Sequence, residues 1–294
     1  MSATGLGRSL PAEPGLGRIG PLLAILAGAA LALLGPRLFG DPLSSDPDAW
    51  RLTAYFGALW LCAVAVPRLR SSAPLAYAFA TLALPYSVWI LLLGWTATLP
   101  GVLGTADSLG RTASAAVAEL VLVLVMAAGY SWRCPSPAPA LRLLRLPSLR
   151  VVLVAGLGSV SFLAIGFLLP ATLLGREGVP LLAFAPPNIF AYLVANAASA
   201  MAQEVQFRGV LLAELERVHP WVTAVVLQAA VFGVAHVAVQ YAGPAASFIP
   251  IVTVLGLIWG WLTRWTDSLW PAIVIHIVAD LFITIAILGG LYGL

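Results

Sequence analysis

The chain has 294 residues, 61% of them hydrophobic and only 9% charged, with a mean hydropathy of +0.99. Soluble domains carry about 25% charge, so the composition excludes an ordinary soluble domain and indicates a polytopic membrane protein, with room for roughly seven to nine spans of about 20 residues. The net charge of +3 is too small and too scattered to support nucleic-acid binding.

Residues 1–18 form a tail too weakly basic for a signal-peptide n-region, so the apolar run after it is read as the first span. Apolar stretches bounded by Pro, Gly and Arg then predict helices at about 20–35, 52–66, 74–99, 113–131, 149–170, 188–216, 221–240, 248–263 and 270–291. Some of these are short, so eight or nine spans are expected. The fold class is therefore all-α, a polytopic transmembrane helical bundle. Cys62 and Cys134 have no spacing that suggests a metal site or a disulfide framework.

All fifteen basic residues are arginines. The segment 133–150, with Arg133, Arg142, Arg145 and Arg150, is the most cationic and marks the cytoplasmic side. Alternation over nine spans then places the N-terminus inside with Arg8 and Arg18, joined by Arg68, Arg70, Arg217 and Arg264. Arg37, Arg51, Arg111 and Arg176 fall outside, beside Asp41, Asp46, Asp48, Asp107 and Glu177. This asymmetry fits a multi-pass protein of a bacterial inner membrane. No internal repeat or long linker separates domains.

Few ionisable groups remain at membrane depth: Glu119, Glu204, Arg208, His236, His276 and Asp280. Each is costly there unless paired or hydrated. Glu119 lies about two turns into its span and can reach an interface. The other five fall on three helices in the last third of the chain.

In "AQEVQFRGV", residues 202–210, Glu204 and Arg208 are four apart and share a helix face, where the guanidinium fork can pair with the carboxylate. A pair that only pins the helix and a pair that serves a site are both open at this point. Gln203 is turned about 100° from Glu204 and points elsewhere in the bundle. In "VFGVAH", Phe232 precedes His236 by four residues and should pack beside the imidazole. Glu204 and His236 are about equally far from the turn at His219–Pro220, roughly 23 Å along each helix, so an antiparallel hairpin brings them level. In "SLWPAIVIHIVAD", His276 and Asp280 are again four apart, on a helix entered through Trp270–Pro271. The zinc signature His-Glu-x-x-His is absent, and no metal or other cofactor is expected.

Three stretches together, "QEVQFR" (203–208), "FGVAH" (232–236) and "HIVAD" (276–280), resemble the motifs of the CPBP family of intramembrane proteases. This family comprises the CAAX proteases and bacteriocin-processing enzymes. Its pattern is Glu-Glu-x-x-x-Arg, then Phe-x-x-x-His, then His-x-x-x-Asn or Asp. The flanking "FRGVLL" and "SLWPAIVIH" are similar as well. The resemblance covers about residues 188–291 and divides the chain into a tail (1–18), motif-free transmembrane helices (19–170) and a protease-like core (188–291).

The resemblance implies a glutamate-dependent endopeptidase that requires no metal. Its first Glu and the His236 equivalent activate water, while His276 and Asp280 stabilise the oxyanion. A desolvated carboxylate is a stronger base, and fixed donors in a low-dielectric site stabilise developing charge. The implied site residues are Gln203, Glu204, Arg208, His236, His276 and Asp280. The implied substrate is a hydrophobic or membrane-anchored peptide or protein met in the lipid bilayer.

This chain departs from the pattern at Gln203, which stands where the first Glu belongs and cannot take a proton from water. Four readings follow: a natural non-cleaving binder, an engineered inactive variant, Glu204 acting as the base, or His236 activating water alone. Asp280 in place of Asn donates to an oxyanion only when protonated. A membrane scaffold on the same fold and a proton-coupled transporter are the competing classes. The transporter lacks the expected inverted repeats.

Overall fold

The structure is a computed structural model that describes residues 19–34, 45–96, 108–133, 147–168, 189–236 and 245–288. The tail 1–18 with Arg8 and Arg18 lies outside the described residues. So do Arg37, Asp41, Asp107, Cys134, Arg142, Arg145, Arg176 and Glu177, and the side chains of Asp46, Asp48, Arg111 and Arg133.

The described residues form helices and no strands. They are α1 (Ile19–Leu34), α2 (Ser45–Ala65), a 3₁₀ turn (Pro67–Ser72), α3 (Ala73–Thr96), α4 (Ser108–Arg133) and α5 (Leu149–Leu168). Then come α6 (Ile189–Glu204), a π-helical segment (Val205–Leu211), α7 (Leu212–Val218), α8 (Trp221–Ala235), α9 (Ala245–Thr266) and α10 (Trp270–Leu288). Each of the nine expected apolar runs coincides with one of these rods; the sixth run corresponds to α6, the π segment and α7 together. Helices suit such runs because backbone groups in lipid must be satisfied within the segment.

By length and composition, Pro67–Leu92, Thr112–Trp132 and Ile249–Thr266 can cross a membrane, and shorter apolar helices pack around them. The result is a helical bundle that forms an integral membrane protein.

Local sequence explains the corners. His219 is extended (φ −128°, ψ 155°) because it precedes Pro220, which ends α7 and lets α8 begin at Trp221. Between α9 and α10, Asp267 takes a left-handed φ of 53°. Ser268 Oγ accepts the Trp270 amide at 3.2 Å, and Pro271 opens the helix.

Packing pairs α2 with α3, α4 with α6, α5 with α10, and α8 with α9. Helices α4 and α6 run parallel: Ala113 clusters with Ala191, Tyr192 and Ala195, and Tyr130 further along α4 donates to Glu214 of α7 at 2.7 Å. Arginines gather at one end of the bundle. Arg150 at the start of α5 sits 4.3 Å from the Trp265 ring at the end of α9, and Arg264 pairs with Glu216 at 3.3 Å. Arg68 and Arg70 precede α3. Arg51 near the start of α2 lies at the opposite end, because Thr53 and Ser87 meet at 2.7 Å across antiparallel α2 and α3.

Candidate active site

The site is assembled where α6 gives way to the π segment. A π turn is rare and marks functional positions disproportionately. Here it sends neighbouring side chains to different helices. Gln206 donates to the Thr81 carbonyl of α3 at 2.6 Å, and Arg208 reaches the Gly256 carbonyl of α9 at 3.5 Å. Every residue of the segment is buried.

Glu204 and Arg208 pair as the four-residue spacing predicted, with Nη1 donating to Oε1 at 3.0 Å. Both side chains are fully buried, at 0% exposure, so this pair receives no help from bulk water. The same Glu204 oxygen also faces His276 Nδ1 of α10 at 2.7 Å. The other His276 nitrogen, Nε2, approaches Asp280 Oδ1 at 3.4 Å. Carboxylate oxygens only accept, so this placement asks both ring nitrogens to donate. Two acidic and two basic side chains thus meet in one buried cluster, and such mutual pairing is what a bilayer interior demands of ionisable groups.

Phe232 joins His236 to this cluster. Its ring lies 4.6 Å from the His236 ring, 4.2 Å from Arg208 Cζ, 6.0 Å from the His276 ring and 4.9 Å from Phe207. His236 Nδ1 donates to the Phe232 carbonyl at 2.7 Å. A carbonyl cannot donate, so that bond places the proton of a neutral imidazole on Nδ1 and the acceptor lone pair on Nε2. That is the tautomer of a general base.

Gln203 behaves differently. Its amide nitrogen turns back along α6 to Ser199 Oγ at 3.3 Å, and its carbonyl oxygen is buried without a hydrogen-bond partner among the described residues. Glu204 Oε2 is likewise a buried acceptor without one. Five of the six expected residues, Glu204, Arg208, His236, His276 and Asp280, are thus joined through direct contacts and the Phe232 ring. Gln203 is beside them in sequence but bonded along its own helix.

Sequence reasoning missed α9. Trp259 stacks on His276 at 4.1 Å between centroids and 24° between planes, fixing the ring that Glu204 and Asp280 orient. Gly256 supplies the carbonyl below Arg208, and a Cβ there would meet Ala229 and Phe232 at 3.2 Å. The clue lay in "GLIWG" (256–260), a small-xxx-small pattern that lets two membrane helices approach closely.

These observations define a helical membrane protein with a buried carboxylate, histidine and guanidinium site in its C-terminal third. Residues 185–282 match the family model of the type II CAAX prenyl endopeptidase Rce1-like proteins. That segment is similar to Rce1-like domains, which is consistent with a CPBP family intramembrane protease. No curated protein and no solved structure matches the chain. The family supports CAAX-type endopeptidase activity in a membrane in general.

Proposed function

We propose that the protein is an intramembrane endopeptidase that hydrolyses a peptide bond near the end of a membrane-associated protein or peptide. The observation that carries this reading is the convergence of Glu204, Arg208, His276 and His236 on one buried aromatic cluster. Residues 188–291 are the catalytic core in this reading, 19–170 the supporting membrane helices and 1–18 a tail. The protein sits in a bacterial inner membrane with its N-terminus and arginine-bearing end inside.

In the proposed reaction, His236 Nε2 removes a proton from water while its oxygen attacks the scissile carbonyl. Glu204 Oε2 or the Gln203 carbonyl orients that water by accepting its second hydrogen, which glutamine does without acting as a base. The oxyanion is stabilised by the positive pair His276 and Arg208, with Asp280 holding the imidazole. Collapse breaks the C–N bond, and the proton passes from His236 to the leaving amine. A fixed array of this kind acts on developing charge without reorganising.

Gln203 favours a second reading, a membrane protein on the same fold that holds a hydrophobic peptide without cutting it. Peptide turnover by the purified protein, compared with Gln203→Glu and His236→Ala, separates the two. Cleavage with Gln203 in place, lost in His236→Ala, supports the mechanism above. Cleavage only after Gln203→Glu marks a silenced enzyme. Peptide binding without turnover in either form sinks the enzyme reading.

A further inference from the structure

Hydroxyls inside this bundle usually close onto the carbonyl one turn back. Thr253 bonds to Ile249 at 2.8 Å, Thr266 to Leu262 at 2.7 Å, Ser131 to Ala127 at 2.8 Å and Ser159 to Ala155 at 2.8 Å. Thr263 of α9 does not. It is fully buried, and its Oγ1 has no hydrogen-bond partner among the described residues.

Across the seam, Gln228 of α8 is also fully buried, with neither amide atom partnered there. Gln228 faces Gly260, where an added Cβ would lie 3.0 Å from Gln228 Oε1. Gly260 and Thr263 are three residues apart and therefore neighbours on the surface of α9. Trp259 Nε1 and Arg208 Nε are further buried donors without partners among the described residues, and Arg208 bonds to Gly256 at the other end of the same stretch. From Gly256 to Thr263 the helix rises about 10 Å. Thr263 adjoins Arg264, at the arginine-bearing end of the bundle.

Buried amides and hydroxyls almost always find a partner, and where protein supplies none an ordered water does. Here Gln228 of α8 and Thr263 of the packed helix α9 are orphaned together among the described residues. We propose that the α8–α9 seam binds a short file of ordered water, held by the Gln228 amide and the Thr263 hydroxyl, leading from the arginine-bearing end to Arg208. As a hydration site it stands on these side chains alone. As the supply of hydrolytic water it rests on the endopeptidase reading.

The test uses the full chain in lipid bilayers, with ¹⁵N on the glutamine side chains, and measures water-to-amide magnetisation transfer by solid-state NMR. Glutamine occurs at 203, 206, 228 and 240. The Gln228 signal is assigned by its loss in either Gln228→Leu or Gln228→Asn. Gln206, buried and bonded to Thr81, is the dry internal reference. Transfer at Gln228 is expected to be several-fold faster than at Gln206, to fall in Thr263→Val and to survive in Thr263→Ser. A Gln228 amide as slow as Gln206, or one indifferent to Thr263→Val, overturns the proposal. Peptide turnover is read on the same samples. A wet Gln228 without turnover in any form keeps the hydration site and removes its catalytic use. A dry Gln228 in an active enzyme removes the water file and leaves the endopeptidase standing.

Discussion

Glu204 holds the most constrained position in the molecule, since one of its oxygens meets both Arg208 at 3.0 Å and His276 at 2.7 Å in full burial. Removing one partner of a buried pair leaves an uncompensated charge and costs about 3–5 kcal/mol. Glu204→Gln should therefore lower stability by that order, measured by denaturant titration in micelles. The double change Glu204→Leu with Arg208→Met should recover most of the loss, since a well-packed apolar pair replaces ions at little cost. His236 makes a contrasting prediction, because its contacts include a backbone carbonyl and an aromatic face. His236→Ala should leave the fold intact and lower kcat by about 10²–10⁴, the usual contribution of a general base. The Glu–Arg and His–Asp pairs were legible from four-residue spacing alone. The link between them was not, because Glu204 and His276 are 72 residues apart.

At the level of elements, the site depends on how closely α8 and α9 approach. Gly256 faces Ala229 and Phe232 at distances a Cβ barely tolerates, and a Cβ on Gly233 would collide with Thr253 Oγ1. Gly256→Leu should push Phe232 away from Arg208 and cost about 1–3 kcal/mol of overpacking, read as a lower midpoint of thermal unfolding together with lost turnover. The corner between α7 and α8 carries a pH dependence. His219 is buried there, and burial lowers its affinity for a proton below the ordinary value of 6.5. The unfolded chain then binds the proton more readily, so the stability from neutral His219 is complete above about pH 6.5. It declines as the pH falls below that value. His219→Gln should flatten this part of the stability–pH curve. Apolar periodicity located the rods, but a π segment leaves no periodic trace because one widened turn shifts the register only locally.

For the whole molecule, the uneven distribution of arginines is the main long-range feature. Arg150, Arg217 and Arg264 lie at one end with Trp261 and Trp265, which stack at 5.3 Å. Trp is enriched at membrane–water interfaces and positive charge at the cytoplasmic one. With Cys62 and Cys134 replaced by Ser, Arg217→Cys should react with a membrane-impermeant maleimide in inside-out vesicles and not in intact cells. The reverse pattern would invert the proposed orientation while leaving the bundle unchanged.

Composition, span positions, the one-ended gathering of arginines and three short polar motifs followed from the sequence by itself, because each depends on local hydropathy or on spacing along a single helix. Only the tertiary structure decided that Glu204 accepts from both Arg208 and His276, that Trp259 and Gly256 of α9 belong to the site, and that Gln203 bonds back to Ser199. The first two depend on which helix packs against which, and the third on the rotamer Gln203 adopts along α6. In an almost uniformly apolar chain the hydrophobic pattern does not choose partners; close approach at glycines and the pairing of buried charges do.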